Sequence, residues 1–212
     1  VDIGDQAVHA SPQERVWKPW RIGRLVEDTV FLRAGPNAGD EQAGFELPLQ
    51  KNVLVTVVGQ IDKQLHVRLS DFESVWVDAY AVKLLPAKTP EPECFVNAWT
   101  ARRESHSTTL STTMQELLPY RLTSSFDGRI LTLKIYGGIS NTDWVHFASD
   151  DPWIRQARWS HPIHGVYQLD VELKQPVWGY DIRYEKRKLI LELRDPPPLP
   201  PEPEPVSDFR RG

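Results

Sequence analysis

Histidine is one residue type in this chain that could bind a catalytic metal ion or act as a general base. A zinc hydrolase needs about three nitrogen or oxygen ligands and a general base. Only His161 and His164 are closely spaced, and Pro162 and Gly165 predict a turn there instead of the helix that places two imidazoles on one face. An exposed hairpin corner is therefore favoured over a metal site. The six histidines are His9, His66, His106, His146, His161 and His164.

Nucleophiles and paired carboxylates form the second group. Cys94 lies in a proline-containing segment with no base near it in sequence, and residues 105–113 are rich in serine and threonine but lack a nucleophile-elbow pattern. Asp150 and Asp151 could act as acid and base, but aspartates before a proline more often form turns. We predict a buried or idle thiol, a polar strand face and a turn, with no catalytic residue in the chain.

Aromatic residues are concentrated between residues 144 and 184 and could bind a ligand. Exposed aromatic faces stack on sugar rings, and charged neighbours bind hydroxyl or carboxylate groups. Trp144 and Trp153 are predicted to be an exposed pair, and Arg155 and Arg158 could bind peptide carboxylates if they share a face with Trp153. Core packing is the alternative for each tryptophan, and solvated surface charge for each arginine. The candidate ligand-binding residues are Trp144, Trp153, Arg155, Arg158, Trp178 and Tyr180.

The composition limits the classes of function. With 212 residues and 40% hydrophobic content, the chain can form one large or two small domains. The net charge of −4 leaves no broad basic face, which argues against nucleic-acid binding. No apolar run reaches the ~20 residues of a membrane span, and no signal-peptide core is visible, so we expect any leader to have been removed. The single cysteine excludes an internal disulfide and a zinc ribbon.

Short apolar runs separated by turn residues predict an all-β chain. Residues 1–20 lack periodicity and are predicted to be an irregular lead-in, whereas residues 21–86 show five short strands, a pattern typical of a small barrel. Residues 53–58 are apolar on both faces, as in a strand that is buried on both sides. The five predicted strands are residues 25–32, 45–49, 53–58, 65–69 and 75–77.

Four segments of this half carry a family resemblance: residues 29–36 (TVFLRAGP), 49–58 (LQKNVLVTVV), 66–69 (HVRL) and 75–77 (VWV). They resemble a bacterial Src-homology-3-like (SH3-like) domain, whose strands read VR-x-GP, G-x-x-V-x-V, W-x-x-V and GWV. The resemblance implies a small barrel that holds cell-wall peptides or glycans in a shallow groove. The chain departs from the family at His66, which follows Leu65 where a tryptophan is usual.

Beyond this half, residues 87–94 contain two prolines and are predicted to be a linker, followed by a second domain at residues 95–195. Strands there alternate apolar and polar residues, and such strands pair into a two-layer β-sandwich. Asp127-Gly128 predicts a tight turn, and residues 177–193 predict a hairpin with a charged corner. The predicted strands are residues 95–100, 107–114, 120–125, 129–136, 144–147, 154–160, 166–173, 177–184 and 189–194.

A second resemblance lies at residues 131–137 (LTLKIYG), 141–144 (NTDW), 177–180 (VWGY) and 189–197 (LILELRDPP). These segments resemble the non-catalytic N-terminal region of bacterial N-acetylmuramoyl-L-alanine amidases, an all-β module of the amidase-N-terminal (AMIN) type. In that family a proline-rich joint leads to a zinc amidase domain, which hydrolyses the amide between muramic acid and L-alanine in peptidoglycan. The resemblance implies no catalytic residue and no cofactor in this chain, zinc in a missing catalytic domain, and a periplasmic or extracellular location in the cell envelope.

Residues 196–212 begin with PPPLPPEPEP and are predicted to be a stiff spacer outside any core. We expect this chain to be the front part of a longer hydrolase. The leading hypothesis is a monomeric targeting or regulatory region that binds peptidoglycan or its own catalytic domain. The alternative is a protein-interaction or spacer module of the envelope that binds no glycan.

Overall fold

The computed structural model describes residues 13–36 and 45–197, without the side chains of residues 45 and 46. The first twelve residues of the predicted lead-in and the predicted spacer from residue 198 onward lie outside the described residues.

The described part of the chain is nearly all β, which confirms the predicted fold class. A 3₁₀ turn at Ala79–Ala81 is the one helical element within it. Among the described residues, no helix has the length and hydrophobicity needed to span a bilayer.

Seven strands form the first body, which we define as residues 13–84. They are β1 (Arg15–Leu25), β2 (Thr29–Arg33), β3 (Phe45–Gln50), β4 (Leu54–Ile61), β5 (Gln64–Arg68), β6 (Ser74–Asp78) and β7 (Val82–Leu84). They make one sheet in the order β3, β2, β6, β5, β4, β1, β7. Its core contains the fully buried Leu25, Leu32 and Leu49.

The small barrel predicted for this body does not close in the described structure. β1 pairs with β4 on one side and with the short β7 on the other, so β3 and β7 are edge strands of an open sheet. β1 also begins at Arg15, which makes the prediction of an irregular lead-in wrong for residues 15–20. A register shift between Val16 and Arg21 bulges the strand, and most of these residues are exposed, so the alternation that marks a strand is hidden.

Strand β4 is buried on both faces, as its sequence predicts. The sheet to which it belongs is open, so these faces are not both covered by the wall of a barrel. Val55 and Val57 pack in the core of the first body. On the other face, Leu54 and Thr56 are at most 8% exposed, and the Thr56 hydroxyl donates to Glu91 at 3.4 Å. The second face is therefore covered by the remainder of the chain.

The second body, residues 94–195, is sandwich-like. Its strands are β8 (Cys94–Val96), β9 (Trp99–Arg103), β10 (Ser107–Thr113), β11 (Tyr120–Ser124), β12 (Ile130–Tyr136), β13 (Gly138–Ser140), β14 (Val145–His146), β15 (Ile154–Ile163), β16 (Val166–Leu173), β17 (Gly179–Glu185) and β18 (Lys188–Arg194). One sheet has the order β14, β9, β10, β18, β17, a second has the order β11, β12, β16, β15, and β8 pairs with β13. Trp99 of the first sheet donates its indole N–H to the Tyr167 hydroxyl of the second at 3.0 Å, which links the two layers.

The predicted inward faces of this body are confirmed. The inward residues of β12 and β16 are at most 1% exposed, because each strand directs alternate side chains into the space between the sheets. They are Leu131, Leu133, Ile135, Tyr167, Leu169, Val171 and Leu173. Both predicted turns also form: Gly128 has φ 68° between β11 and β12, and Lys186 has φ 57° between β17 and β18.

Glu73 connects the two bodies. It lies in the turn before β6, and its carboxylate accepts hydrogen bonds from Lys134 Nζ and the Tyr136 hydroxyl, both at 2.6 Å. Arg121 Nη1 is 3.6 Å from the same carboxylate. Burial opposes ionisation, but these hydrogen bonds and positive charges outweigh it and hold the pKa of Glu73 below its usual range.

We predict that this contact is sensitive to acid. A carboxylate with a lowered folded-state pKa stabilises the structure fully above its unfolded pKa, and this contribution is lost as pH falls through the folded-state pKa. Glu73→Gln should therefore reduce the loss of unfolding free energy between about pH 6 and about pH 3, measured by urea denaturation. Glu104→Gln, at an exposed site, should leave the pH dependence of the parent, and equal slopes for both variants would contradict the prediction.

Candidate functional site

The histidine pair lies in the hairpin that Pro162 and Gly165 predict. His161 is near the end of β15, and Gly165 has φ 72° in the turn that leads into β16. The His161 Nε2 atom accepts a hydrogen bond from the Ser140 N–H at 3.2 Å. Within residues 13–36 and 45–197, no group of three or more histidine, cysteine, aspartate or glutamate side chains could hold a metal ion.

The sequence predicts that Cys94 is either buried or idle, and in the structure its thiol is buried. It is 6% exposed, and its Sγ atom lies 3.5 Å from the Glu116 carbonyl oxygen, to which it donates. Burial raises the pKa of the Cys94 thiol, so the nucleophilic thiolate is disfavoured.

Asp151 forms the predicted turn and is buried within it. Its carboxylate accepts hydrogen bonds from the Thr108 hydroxyl at 3.0 Å and from the backbone N–H groups of Trp153 and Ile154 at 2.9 and 2.8 Å. Asp150 beside it is exposed. The two carboxyl groups thus lie in different environments. The Asp151 carboxylate holds the loop before β15 against β10.

The predicted exposure of Trp153 is wrong. Its side chain is 3% exposed, and its indole N–H donates to Asp195 at 2.8 Å. Arg103 donates to the same Asp195 oxygen at 3.0 Å, and this hydrogen bond in particular holds the pKa of Asp195 below its usual range. The loop that Asp151 holds against β10 places the indole inside, so Trp153 secures the end of the sandwich.

The other predicted aromatic residues are exposed but do not converge. Trp144 is 67% exposed and lies just before β14, at one edge of the five-stranded sheet. Trp178 and Tyr180 are 62% and 40% exposed and lie at β17, the opposite edge. Four strand spacings separate those edges, roughly 19 Å.

The two predicted arginines lie on the other sheet. Arg155 and Arg158 are exposed residues of β15; Arg155 Nε is 3.6 Å from Glu172, and Arg158 donates to Gln156 at 2.8 Å. Because Trp153 is buried, the proposed group of one tryptophan and two arginines on a common face is not formed.

The outer face of the five-stranded sheet forms a shallow depression of about 630 Å³, which we call the polar groove. Thr109, Ser111 and Thr113 of β10 line it, since alternate residues of a strand share a face, and the residues between them are buried. Thr100 of the neighbouring β9 pairs with Ser111 and continues the row of hydroxyl groups.

Charged side chains of both signs flank these hydroxyl groups. Thr109 lies in register between Arg102 of β9 and Glu192 of β18, and Thr113 lies opposite Lys188. Arg183 of β17 binds Glu192 at 2.7 Å and also lies near Glu185 and Asp181. The polar groove can therefore donate and accept hydrogen bonds along its length and can pair with both carboxylates and amines.

The sequence showed part of this groove. The hydroxyl-rich segment 105–113 was predicted to be a polar strand face, but its neighbours in the sheet were not predicted. A signal existed in β18, where Lys188, Glu192 and Arg194 alternate with buried leucines. Only the order of strands β9, β10, β18 and β17 brings these faces together.

Comparison with known proteins identifies no relative of this chain. The sequence matches no protein-family model, and no curated protein is similar to it. What defines the chain is its architecture, which joins an open seven-stranded sheet to a sandwich-like body with a polar outer face.

Proposed function

We propose that this chain is a non-catalytic binding region for peptidoglycan and that it targets or regulates an N-acetylmuramoyl-L-alanine amidase. The observation that supports this proposal is the polar groove. Peptidoglycan carries hydroxyl and amide groups along its glycan and both carboxylates and amines on its peptides. A row of hydroxyl groups flanked by Arg102, Lys188 and Glu192 offers partners for each of them.

The amidase part of the proposal comes from the sequence resemblance within residues 119–200. On this proposal the zinc ion and the hydrolytic residues belong to a separate catalytic domain, and this chain needs no cofactor. The expected setting is the cell envelope, either the periplasm or the extracellular side, with the chain as a monomer.

Blocking the groove tests the proposal. Ser111→Arg places a long side chain on the groove floor without changing a buried residue, and we expect about tenfold weaker binding to insoluble peptidoglycan in a sedimentation assay. Ser160→Arg adds the same side chain to an exposed position of β15 and should bind like the parent. If the parent chain stays entirely in the supernatant, the proposed function is wrong.

One observation favours a second function, a protein-interaction or spacer module. An apolar crevice of about 210 Å³ lies where the bodies meet, lined by Leu47, Pro48, Tyr120, Leu122 and Ile182 among others. A protein that uses this crevice instead of the polar groove should ignore peptidoglycan. Deleting the region from a full-length hydrolase would then change activity while peptidoglycan binding stays the same.

A further inference from the structure

Two exposed aromatic residues lie at the end of the sandwich where β17 begins. The first residue of β17, Gly179, pairs with Arg194, the last residue of β18. Phe126, at the turn between β11 and β12, is fully exposed, and Trp178, directly before β17, is 62% exposed.

The turn that carries Phe126 is fixed by its neighbours. The Ser125 hydroxyl donates to Asp127 at 2.6 Å and accepts from the Ile130 N–H at 2.9 Å, and Gly128 has a positive φ. A Cβ atom built on Gly128 would lie 3.4 Å from Cβ of Pro176, so the turn packs against the loop that leads to Trp178. Both aromatic residues are therefore held on neighbouring, well-defined loops, and we call this surface the aromatic tip.

The aromatic tip adjoins the polar groove. Gly179, next to Trp178, lies opposite Arg194, and the Arg194 guanidinium is 3.8 Å from Asp181 of β17 and 3.9 Å from Glu192, which lines the groove. Single exposed aromatic residues need no explanation, but two of them on packed loops beside a hydroxyl-lined groove suit a ligand with flat apolar faces and polar edges.

We propose that the sugar rings of a glycan strand stack on Trp178 and Phe126 while the polar groove binds the peptide-bearing part of the same polymer. This inference rests on the proposed function. It assigns sugar binding to the aromatic tip and peptide binding to the polar groove. A pyranose ring has the required shape, since its C–H face packs on an aromatic ring and its hydroxyl groups lie at the edge, within reach of side chains such as Arg194 and Asp181.

The test uses the whole 212-residue chain and two probes, insoluble peptidoglycan and peptide-free glycan strands prepared from it. Trp178→Ala and Phe126→Ala should each weaken binding to the peptide-free strands about fivefold, and the double variant should weaken it further. Phe72→Ala and Tyr80→Ala remove aromatic residues of the first body that are 82% and 76% exposed, and they should bind like the parent.

The outcomes separate the two proposals. If the parent chain binds insoluble peptidoglycan but not the peptide-free strands, or if both tip variants bind the strands like the parent, the sugar-stacking inference is wrong and the proposed function stands. If the parent binds neither probe, both proposals are wrong. All four replaced side chains are exposed, so unchanged circular dichroism is expected and a loss of binding reports on contact with the ligand.

Discussion

Asp151→Ala is expected to lower the free energy of unfolding by about 3–4 kcal/mol, because three donors lose their acceptor at a buried site. The Asp151 side chain is 4% exposed and receives the Thr108 hydroxyl and the N–H groups of Trp153 and Ile154. Each unsatisfied buried donor costs about 1–3 kcal/mol, and relaxation of the loop recovers part of that sum. Urea denaturation followed by tryptophan fluorescence gives the value.

Asp150→Ala is the matched control for this prediction. Asp150 is the preceding residue and is exposed, so its replacement should change the free energy of unfolding by no more than about 0.5 kcal/mol. Equal effects of the two substitutions would mean that the carboxylate of Asp151 does not hold the loop.

Trp99→Ala should destabilise the chain by about 4 kcal/mol, the second large effect. Trp99 is fully buried between the two sheets, so its removal leaves a cavity. It also removes the donor to the Tyr167 hydroxyl, which is left with Thr142 as its remaining partner at 3.0 Å. Far-UV circular dichroism during urea denaturation is the suitable measurement, because the substitution alters the tryptophan fluorescence itself.

Trp144→Ala makes the same chemical change at an exposed position. At 67% exposure the Trp144 ring contributes little to packing, and we expect a change within about 0.5 kcal/mol. A large effect of Trp144→Ala together with a small effect of Trp99→Ala would contradict the placement of these two residues. Trp99→Phe keeps most of the ring volume and should cost less than Trp99→Ala, so a chain that fails to fold with alanine can still be tested.

These predictions divide the tryptophans by role. Trp99 and Trp153 hold the sandwich together, whereas Trp144 and Trp178 contribute exposed surface. Sequence context alone grouped Trp153 with Trp144, because both follow loop-forming residues. The hydrogen bond from Trp153 to Asp195, 42 positions further along the chain, decides the difference.

The sequence by itself determined the fold class and most of the strands. Alternating apolar residues in β12 and β16, and turn residues such as Asp127-Gly128, act over a few positions and are readable without the tertiary structure. The buried state of β4 was also readable, since a run that is apolar on both faces is stable only when both faces are covered.

The tertiary structure alone decided which strands are neighbours, and with that every feature of the candidate site. The polar groove joins β9 and β10 to β17 and β18, about 80 residues further along the chain, and no local pattern encodes such a pairing. Local sequence patterns likewise do not encode that β3 and β7 are the edges of an open sheet, that Trp153 is buried, or that Glu73 connects the two bodies. Hydrogen bonds between distant segments select one partner among many chemically similar strands, and that choice depends on the packing of the whole chain.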